Sequence, residues 1–383
     1  MLVISKPDTF EKLQLLSRDS QYDLACACGS NKLDRRTRGS NGKWIYPVTL
    51  PNGGTAMLFK TLISNVCSSD CKYCPLQKNA DISRCTLSSD ELIKTFLDYY
   101  NNGEVMGLFL SSGIIGTAEA TMDKLITCAE ILRKKHQFKG YIHLKILPGS
   151  SPAAIEKAIS VSNAVSLNIE TPGKEFLEKL SNKKDFLRDI VEPMKLISRL
   201  TSQSRRRVKQ TTQFIVGAAG ESDQHIVNYT AALYERIGIN RVYFSAYQQN
   251  NAENGKNTNP QEGFTREHRL YQVDFLFRKY GFTQSDIIYD NSGLLSAETD
   301  PKEVWAKKHP EFFPIKVNTA TRYNLLRVPG LGPMAVERIL ERRKVAKISS
   351  IDDIDNINKR LLKAAKYLDF GSLPQNKAFL FNF

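Results

Sequence analysis

Short apolar runs alternate with helix-like segments between residues 55 and 250 of the 383-residue chain. The apolar runs predict six strands, at residues 57–64, 104–110, 140–147, 164–169, 208–216 and 241–247. Between them, apolar residues recur with a helical period in segments such as 89–100, 121–136 and 223–237. Strands that alternate regularly with helices are typical of βα units and a parallel sheet, so the sequence predicts an α/β fold.

Polar side chains occupy every second position in several of these predicted strands. The positions are Tyr141, His143 and Lys145; Ser166, Asn168 and Glu170; Thr211 and Gln213; and Tyr243, Ser245 and Tyr247. Alternate residues of a strand share one face, and buried polar groups are unfavourable unless they are hydrogen-bonded or hydrated. We therefore expect the sheet to surround polar ligands, with Lys145 and Glu170 as catalytic residues at the mouth where the strands end.

The regions outside this core predict three further parts of the chain. Residues 1–54, which include a Gly- and Asn-rich piece, are expected to form an N-terminal extension before the core at 55–250. Residues 251–315 are expected to be a linker and helical extension, with a polar loop at 248–263 and a helix at 265–280. Residues 316–383 are expected to form a small all-α module.

Composition and charge limit the class of protein and its partners. The chain is 41% hydrophobic and 25% charged, and it contains neither an apolar run of membrane-spanning length nor a recognisable secretory signal. Seven cysteines, three of them in one short segment, suit a reducing cytoplasm better than a disulfide framework. The net charge of +14 indicates a polyanionic partner, and basic residues are concentrated at 35–38, 205–209 and 316–350.

Cys67, Cys71 and Cys74 form a C-x₃-C-x₂-C triplet in a single short segment. Cysteine thiolates are the ligands of iron–sulfur clusters, and an electron-transfer [4Fe-4S] cluster uses four of them. Three close ligands would leave one iron open to a substrate or cofactor. A structural zinc loop is the alternative, but it requires a fourth Cys or His at a short spacing, and none follows within ten residues of Cys74.

A second motif lies near the C-terminus, where Val328-Pro-Gly-Leu-Gly332 predicts a tight turn between two helices. Pro333 then opens the second helix at the position where a missing N–H is harmless. Gly330 and Gly332 have no side chains and would leave the amides of that helix N-terminus exposed. These amides can bind a phosphate of a nucleic-acid backbone. The arginines assigned to the same backbone contact are Arg338, Arg342 and Arg343. The alternative is a helical hairpin that serves only protein contacts.

The cysteine triplet, with Tyr73 before its last member, resembles the signature of radical S-adenosylmethionine (SAM) enzymes. The whole chain resembles the DNA modification/repair radical SAM proteins, and its C-terminal turn resembles the helix-hairpin-helix motif. Besides these two motifs, the resemblance is carried by segments 107–113, 140–145, 241–247 and 266–272. It implies a partial (β/α)6 radical SAM barrel with an N-terminal extension and a helix-hairpin-helix module at 316–383.

The same resemblance implies a cofactor site in which SAM chelates the fourth iron of a [4Fe-4S] cluster. The residues assigned to SAM are Tyr73, Ser111, Ser112, Gly113, Asn168, Glu170, Gln213, Ile215 and Gly217. In the family, the turn at 111–113 receives the amino group of SAM. Residues at the positions of Asn168 and Glu170 reach its ribose or methionine, and the segment around Gly217 packs on adenine.

The function implied is reductive cleavage of SAM to a 5′-deoxyadenosyl radical that acts on DNA, in base modification or repair. Nucleic acid and a low-potential electron donor are the expected partners, in the cytoplasm and without a membrane. Two alternatives stay open. One is a radical SAM enzyme that modifies RNA, and the other is a DNA-binding protein whose cluster is a structural or redox element.

Overall fold

The computed structural model describes residues 7–20, 44–49, 54–204, 206–248, 260–355 and 358–371. The chain divides into two compact units. The barrel unit comprises Met1–Glu221 and Ala232–Glu267, and the C-terminal unit comprises Ser222–Ala231 and His268–Phe383. In this division, most of the predicted linker and the predicted C-terminal module belong to one unit. The basic residues at 35–38, Arg205 and most of the predicted loop at 248–263 lie outside the described residues.

Seven strands of the described barrel unit form one curled sheet, in which they are ordered as in the chain. The strands are β1 (Ile45–Thr49), β2 (Thr55–Leu62), β3 (Gly107–Ser111), β4 (Tyr141–Lys145), β5 (Ala164–Ser166), β6 (Lys209–Val216) and β7 (Arg241–Ala246). β1 is antiparallel to β2, and every other neighbouring pair is parallel. The six predicted strands are confirmed. Strand β1 was not predicted because Pro47 interrupts its pattern, although an edge strand tolerates proline.

Helices separate the strands, as the βα pattern predicts. In the barrel unit they are α1 (Thr9–Asp19), α2 (Ser89–Asn101), α3 (Ala118–Lys134), α4 (Pro152–Val161), α5 (Lys174–Leu180) and α6 (Glu192–Gln203), with a π-helical turn at Leu187–Val191. Two further helices each have residues in both units: α7 (Asp223–Ala232), which a π-helical turn extends over Leu233–Ile237, and α8 (Pro260–Tyr280). Because proline is well tolerated at a first helical position, α8 begins within the predicted loop, and residues 260–263 are helical.

The C-terminal unit contains short elements around its own core. They are α9 (Pro301–Lys308), β8 (Ile315–Lys316), α10 (Arg322–Arg327), α11 (Pro333–Val345), α12 (Lys359–Ala365) and β9 (Leu368–Asp369), with 3-10 turns at Gln284–Asp286, Pro310–Phe312 and Ile351–Asp353. Strands β8 and β9 pair in parallel, so the prediction of an all-α module is wrong. Each strand has only two residues, which is too short to produce an alternating pattern in the sequence.

Apolar packing explains why residues 301–315 belong with the C-terminal core. Leu325, Val336 and Ile339 are fully buried in that core. The ring of Phe313 lies 4.9 Å from the ring of Tyr367 at an edge-to-face angle, so the segment before β8 packs directly on the segment before β9. Among the described helices, none combines the length and the apolar character needed to cross a membrane.

Candidate active site

The three cysteines of the triplet lie on the loop that follows the carboxyl end of β2. Cys71 is buried, Cys67 and Cys74 are half-buried, and all three are free thiols. The loop turns tightly, since Cys74 N donates to Cys71 O at 3.0 Å and Ser69 Oγ lies 3.2 Å from Cys71 Sγ. Burial, reinforced by the neighbouring Cys71 and Cys67, raises the pKa of the Cys74 thiol to about 12. Crowded thiols of this kind become thiolates when a metal centre supplies positive charge.

Residues 179–184, which we call the strap, hold the cysteine loop from one side. The amide of Lys72 donates to Leu180 O at 2.9 Å, and Ser181 Oγ donates to Asp70 Oδ1 at 2.5 Å. Although burial opposes it, the hydrogen bonds from Ser181 and its neighbours lower the pKa of Asp70, so this carboxylate stays charged in the loop. Lys183 Nζ adds a bond of 2.6 Å to Ser68 O. The cysteine loop is therefore fixed by contacts far from it in the chain.

Lys184, the last residue of the strap, places a buried ammonium beside the cysteines. Its Nζ lies 3.0 Å from Tyr73 Oη and 3.5 Å from Glu170 Oε1. Burial disfavours this charge, but Cys71 and Glu170 outweigh burial and raise the pKa of Lys184. Tyr73 is half-buried, and the desolvation of its phenol, with Cys71 and Glu170 nearby, raises the pKa of that phenol and keeps it protonated. No pattern in the sequence indicates a role for Lys184, because it lies in a polar run typical of an exposed surface.

Glu170 occupies an unusual backbone position. Strand β5 ends at Ser166, so Asn168 and Glu170 are not in a strand, and the alternation used to place them on one strand face does not apply. Glu170 has a φ of +66°, in the left-handed region that non-glycine residues rarely adopt. Hydrogen bonds from Glu170 N to Gln213 O and from Ile215 N to Glu170 O hold it there. Strained, over-determined positions of this kind cluster at functional sites.

Two buried polar atoms near this position lack a hydrogen-bond partner among the described residues. They are Oε2 of Glu170 and Nε2 of Gln213. Asn168 is also buried, and Lys145 is half-buried at the end of β4. Because native proteins rarely leave buried polar atoms unsatisfied, an acceptor and a donor in this state fit a site that is completed by a polar ligand.

The predicted glycine turn after β3 contacts the cysteine loop directly. A Cβ at Gly113 would lie 2.4 Å from Val66 O and 3.1 Å from Cys67 Cβ, so only glycine allows this approach. Gly113 N donates to Ser64 O, and Ser112 Oγ donates to Gly113 O. Ser111 is buried as the last residue of β3. The turn thus supports the cysteine loop.

The predicted adenine segment follows β6 in the turn around Gly217. Gly217 has a φ of +88°, and its amide donates to the carboxylate of Glu221. A Cβ there would lie 3.2 Å from Nη1 of Arg266. Ile215 is half-buried in β6 and offers an apolar surface. The turn is therefore held by Glu221, a residue that the sequence reasoning did not single out.

The donor set fits the cofactors predicted from the sequence. Three thiols on one loop supply the soft ligands of iron–sulfur chemistry and leave a fourth iron without a protein ligand. Among the described residues, no group of three or more His, Cys, Asp or Glu side chains is placed to hold a single metal ion. Lys184 places a positive charge beside the loop, and Glu170 places there an acceptor that has no partner among the described residues. This charge pattern complements SAM, which carries both a carboxylate and an ammonium.

In the C-terminal unit, α10 and α11 are joined by the predicted turn at residues 328–332. Gly330 has a φ of +90°, and a Cβ on it would lie 2.1 Å from Arg360 O, so this glycine packs on the start of α12. Gly332 immediately precedes α11, whose start is not capped by any side chain of the described residues. The nearest group to a Cβ added at Gly332 is Tyr280 Oη at 3.6 Å. Of the two glycines, only Gly332 therefore leaves its surroundings open.

The three arginines assigned to phosphate contacts already have partners. Arg338 pairs with Asp355, and Nη2 of Arg342 lies 3.7 Å from Asp353 Oδ1. Arg343 donates to Ala320 O at 2.6 Å, which ties α11 to the segment before α10. The local sequence predicts a basic face, but it does not show that aspartates following α11 in the chain neutralise part of that face.

Comparisons with known proteins bear on the barrel unit. Residues 61–233 match the model of the Radical SAM superfamily. Similar solved structures include methylornithine synthase (PylB), with 13% identity over 58% of this chain and 62% of that one and a TM-score of 0.45. They also include the FeFe-hydrogenase maturase HydG from Carboxydothermus hydrogenoformans, with 15% identity over 56% and 51% and a TM-score of 0.45. A third is anSMEcpe with bound AdoMet, with 15% identity over 57% and 62% and a TM-score of 0.40.

The chain thus spans between about half and two thirds of the length of these solved structures. No curated protein matches it. The superfamily match covers the cysteine loop, the glycine turn, the strap and the segments that hold Glu170 and Gly217. Residues 61–233 therefore match the Radical SAM superfamily, whose members use a [4Fe-4S] cluster and SAM.

Proposed function

We propose that this protein is a radical SAM enzyme that acts on nucleic acid, with DNA as the first substrate to test, in base modification or repair. The observation that carries the assignment of its site is Glu170, a buried carboxylate beside the cysteine loop, one oxygen of which has no partner among the residues that the structure describes. Leaving a buried acceptor unsatisfied costs about 1–3 kcal/mol. The ammonium and the hydroxyl groups of SAM are donors that this oxygen can accept.

Different residues around the cysteine loop would hold different parts of the cofactors. When bound, the cluster supplies the electron that cleaves SAM to a 5′-deoxyadenosyl radical. Cys67, Cys71 and Cys74 would hold three irons of the cluster. Lys184 balances negative charge at the cysteines and offers an ammonium that can pair with a carboxylate. Tyr73, packed against the apolar cluster of Phe176, Leu180 and Ala219, keeps water away from the same side of the loop.

Two features support a nucleic-acid substrate. The net charge of +14 favours association with a polyanion. The uncapped start of α11 at Gly332 presents helix amides, whose partial positive charge favours phosphate. Arg338 and Arg342 would exchange their aspartate partners for backbone phosphates. A base within a duplex would have to flip out to reach a barrel mouth.

The test is anaerobic incubation of the reconstituted enzyme with SAM and a chemical low-potential reductant in place of the electron donor. Single- and double-stranded DNA and RNA oligonucleotides are supplied separately, each uniformly deuterated at carbon. We expect DNA to increase the amount of 5′-deoxyadenosine and to transfer deuterium into it. Cys71→Ala, which cannot hold the cluster, provides the background.

The result also separates the proposal from its alternatives. Deuterium transfer from RNA alone would favour an RNA-modifying enzyme. If no reaction mixture contained 5′-deoxyadenosine, although the cluster was present and DNA was bound, the cluster would be a structural or redox element. Uncoupled 5′-deoxyadenosine formation that no nucleic acid stimulates would remove the nucleic-acid substrate and leave the radical SAM chemistry.

A further inference from the structure

A basic cleft lies in the barrel unit at the end of the sheet opposite the cysteine loop. Its volume is about 390 Å³, and it is lined by Arg133, Gln137, Phe138, Lys139 and Arg206. Gly140, whose carbonyl binds Arg133, immediately precedes β4, and Arg206 lies three residues before β6. The cleft is therefore at the amino ends of the parallel strands, whereas the cysteine loop follows the carboxyl end of β2. A five-residue strand such as β4 separates the two ends by roughly 16 Å.

Arg133 brings a partly buried positive charge to this cleft, and no acidic residue in the described part of the chain pairs with it. Its guanidinium donates to Val161 O at 2.9 Å, Phe138 O at 2.7 Å, Gly140 O at 2.8 Å and Asn163 Oδ1 at 2.7 Å. All four acceptors are uncharged. Burial and the nearby charge of Arg206 lower the pKa of Arg133, which marks the cleft as a place of positive potential.

The helix that ends at the cleft compensates only part of this charge. Arg206 Nη1 donates to Ser160 O at 2.7 Å, and Arg133 Nε donates to Val161 O, so both arginines bind carbonyls in the last turn of α4. A helix C-terminus is equivalent to roughly half a negative charge. Two guanidinium groups and the exposed ammonium of Lys139 exceed it. Within the described part of the chain, none of these three side chains forms an ion pair, and no acid lines the cleft.

We propose that this basic cleft is an anion site that binds the phosphate oxygens of a phosphorylated ligand, separately from the SAM site and from the turn at Gly332. The guanidinium of Arg206 matches phosphate because its planar N–H donors can bind two oxygens at once. Arg133, most of whose donors bind protein groups, contributes mainly positive charge. The cleft is larger than one phosphate needs, so it suits a pyrophosphate group or consecutive phosphodiesters. This role accounts for Arg206, the one residue of the basic run at 205–209 that is among the cleft's lining residues.

The test compares Arg206→Glu with Lys124→Glu, which makes the same change in charge at an exposed position of α3 outside the cleft. Arg133 is left intact because it holds four backbone and side-chain groups in place. The probes are inorganic pyrophosphate, measured by calorimetry, and a fluorescent single-stranded DNA, measured by anisotropy across a salt series. Chloride at matched ionic strength corrects for screening.

We expect Arg206→Glu to weaken pyrophosphate binding at least about tenfold, whereas Lys124→Glu binds as the wild type does. Lys139→Glu should also weaken pyrophosphate binding. It replaces Arg206→Glu in the comparison if Arg206→Glu unfolds at a lower temperature than the wild type. Loss of pyrophosphate binding alone would identify a small phosphorylated ligand. A parallel loss of DNA binding with a shallower salt slope would identify a nucleic-acid backbone. A wild-type protein that binds neither probe, or variants that all bind equally, would overturn the proposal.

Discussion

Lys184 and Glu170 form a buried ion pair beside the cysteine loop. Lys184 Nζ lies 3.5 Å from Glu170 Oε1, and the two side chains are only 10% and 7% exposed. Such a pair loses hydration energy that its mutual attraction only partly restores. A contribution to folding stability is therefore a weak explanation for the presence of this pair. Because Glu170 Oε2 also lacks a partner among the described residues, we interpret the pair as a prepared receptor for a polar cofactor.

Glu170→Gln should weaken SAM binding while the iron content stays normal. Hydrogen bonds to a charged group contribute about 1.5–3 kcal/mol, which corresponds to roughly tenfold to hundredfold in affinity. Equilibrium dialysis with SAM against the reconstituted protein measures this. Glu178→Gln, an exposed carboxylate on α5, is the matched control. If both variants bind SAM with wild-type affinity, Glu170 is part of the scaffold only.

Lys184→Met should destabilise the barrel unit, because it leaves the Glu170 carboxylate buried without its partner. Removing one member of a buried pair costs about 3–5 kcal/mol. Adding Glu170→Gln to the same chain should recover most of this loss, since the remaining group is then neutral. Chemical denaturation of the two single variants and the double variant gives the coupling energy. Strictly additive effects would show that the two side chains do not interact, and Lys183→Met controls for loss of a strap contact.

Cys71→Ala should abolish assembly of the iron–sulfur cluster, whereas Cys85→Ala should not affect it. Cys71 is buried within the triplet loop, where a lost ligand leaves only two thiolates. Cys85 lies outside the triplet, and burial raises the pKa of its thiol, as expected for an inert cysteine. Cluster assembly is measured by iron and sulfide analysis and by the visible absorption of the reconstituted proteins. Unchanged iron content in Cys71→Ala would place the cluster on other residues.

The sequence predicted the strands and the cysteine loop because both depend on short-range patterns. Alternation and period were enough to locate β2 through β7, and the spacing of the triplet was enough to propose its cysteines as the cluster ligands. Lys184 could not be found in this way, since its role depends on the fold bringing residues 73, 170 and 184 together. The position of Glu170 was predicted on a strand face, but β5 ends four residues earlier, and a left-handed turn places it.

The two glycines of the C-terminal turn also differ in a way that short-range sequence patterns do not predict. Both were assigned to phosphate binding because the motif treats them alike. The structure separates them, since Gly330 lies against Arg360 O and Gly332 faces an open space that ends at Tyr280 Oη. The distinction depends on α12, which comes about thirty residues later in the chain and could not be placed by the local pattern.

Gly330→Ala should therefore destabilise the C-terminal unit, whereas Gly332→Ala should be close to neutral for stability. The added Cβ at Gly330 meets backbone at 2.1 Å, and a φ of +90° is strained for any residue with a side chain. Thermal unfolding of the two variants measures the difference. If Gly332 receives phosphate, the bulkier Gly332→Val should weaken DNA binding and reduce its salt dependence while SAM cleavage without substrate continues. Equal melting temperatures for the two alanine variants would contradict the packing role of Gly330.

Lys302 should make the stability of the C-terminal unit depend on pH. Its ammonium is buried, donates to Leu331 O at 2.6 Å and lies 4.5 Å from the centre of the Tyr280 ring. Burial lowers the pKa of Lys302 to about 7, Asp300 opposes this shift, and Arg327 and Lys363 add to it. Between about pH 7 and 10 the unfolded chain therefore binds a proton that the folded chain does not. Stability should rise with pH across this window, by at most about 1.4 kcal/mol per pH unit from this residue.

Comparison of the wild type with Lys302→Met isolates this contribution. The variant leaves Leu331 O without its donor, which lowers the free energy of unfolding by a constant amount at every pH. The slope of the free energy of unfolding against pH is therefore the quantity to compare. Urea unfolding from pH 6 to 10 can be followed through Trp305, which is buried in the C-terminal unit, in a Trp44→Phe background. We expect the wild-type slope to exceed the variant slope above pH 7 and to equal it below. Parallel curves throughout would mean that Lys302 stays protonated in the folded protein, held by Asp300.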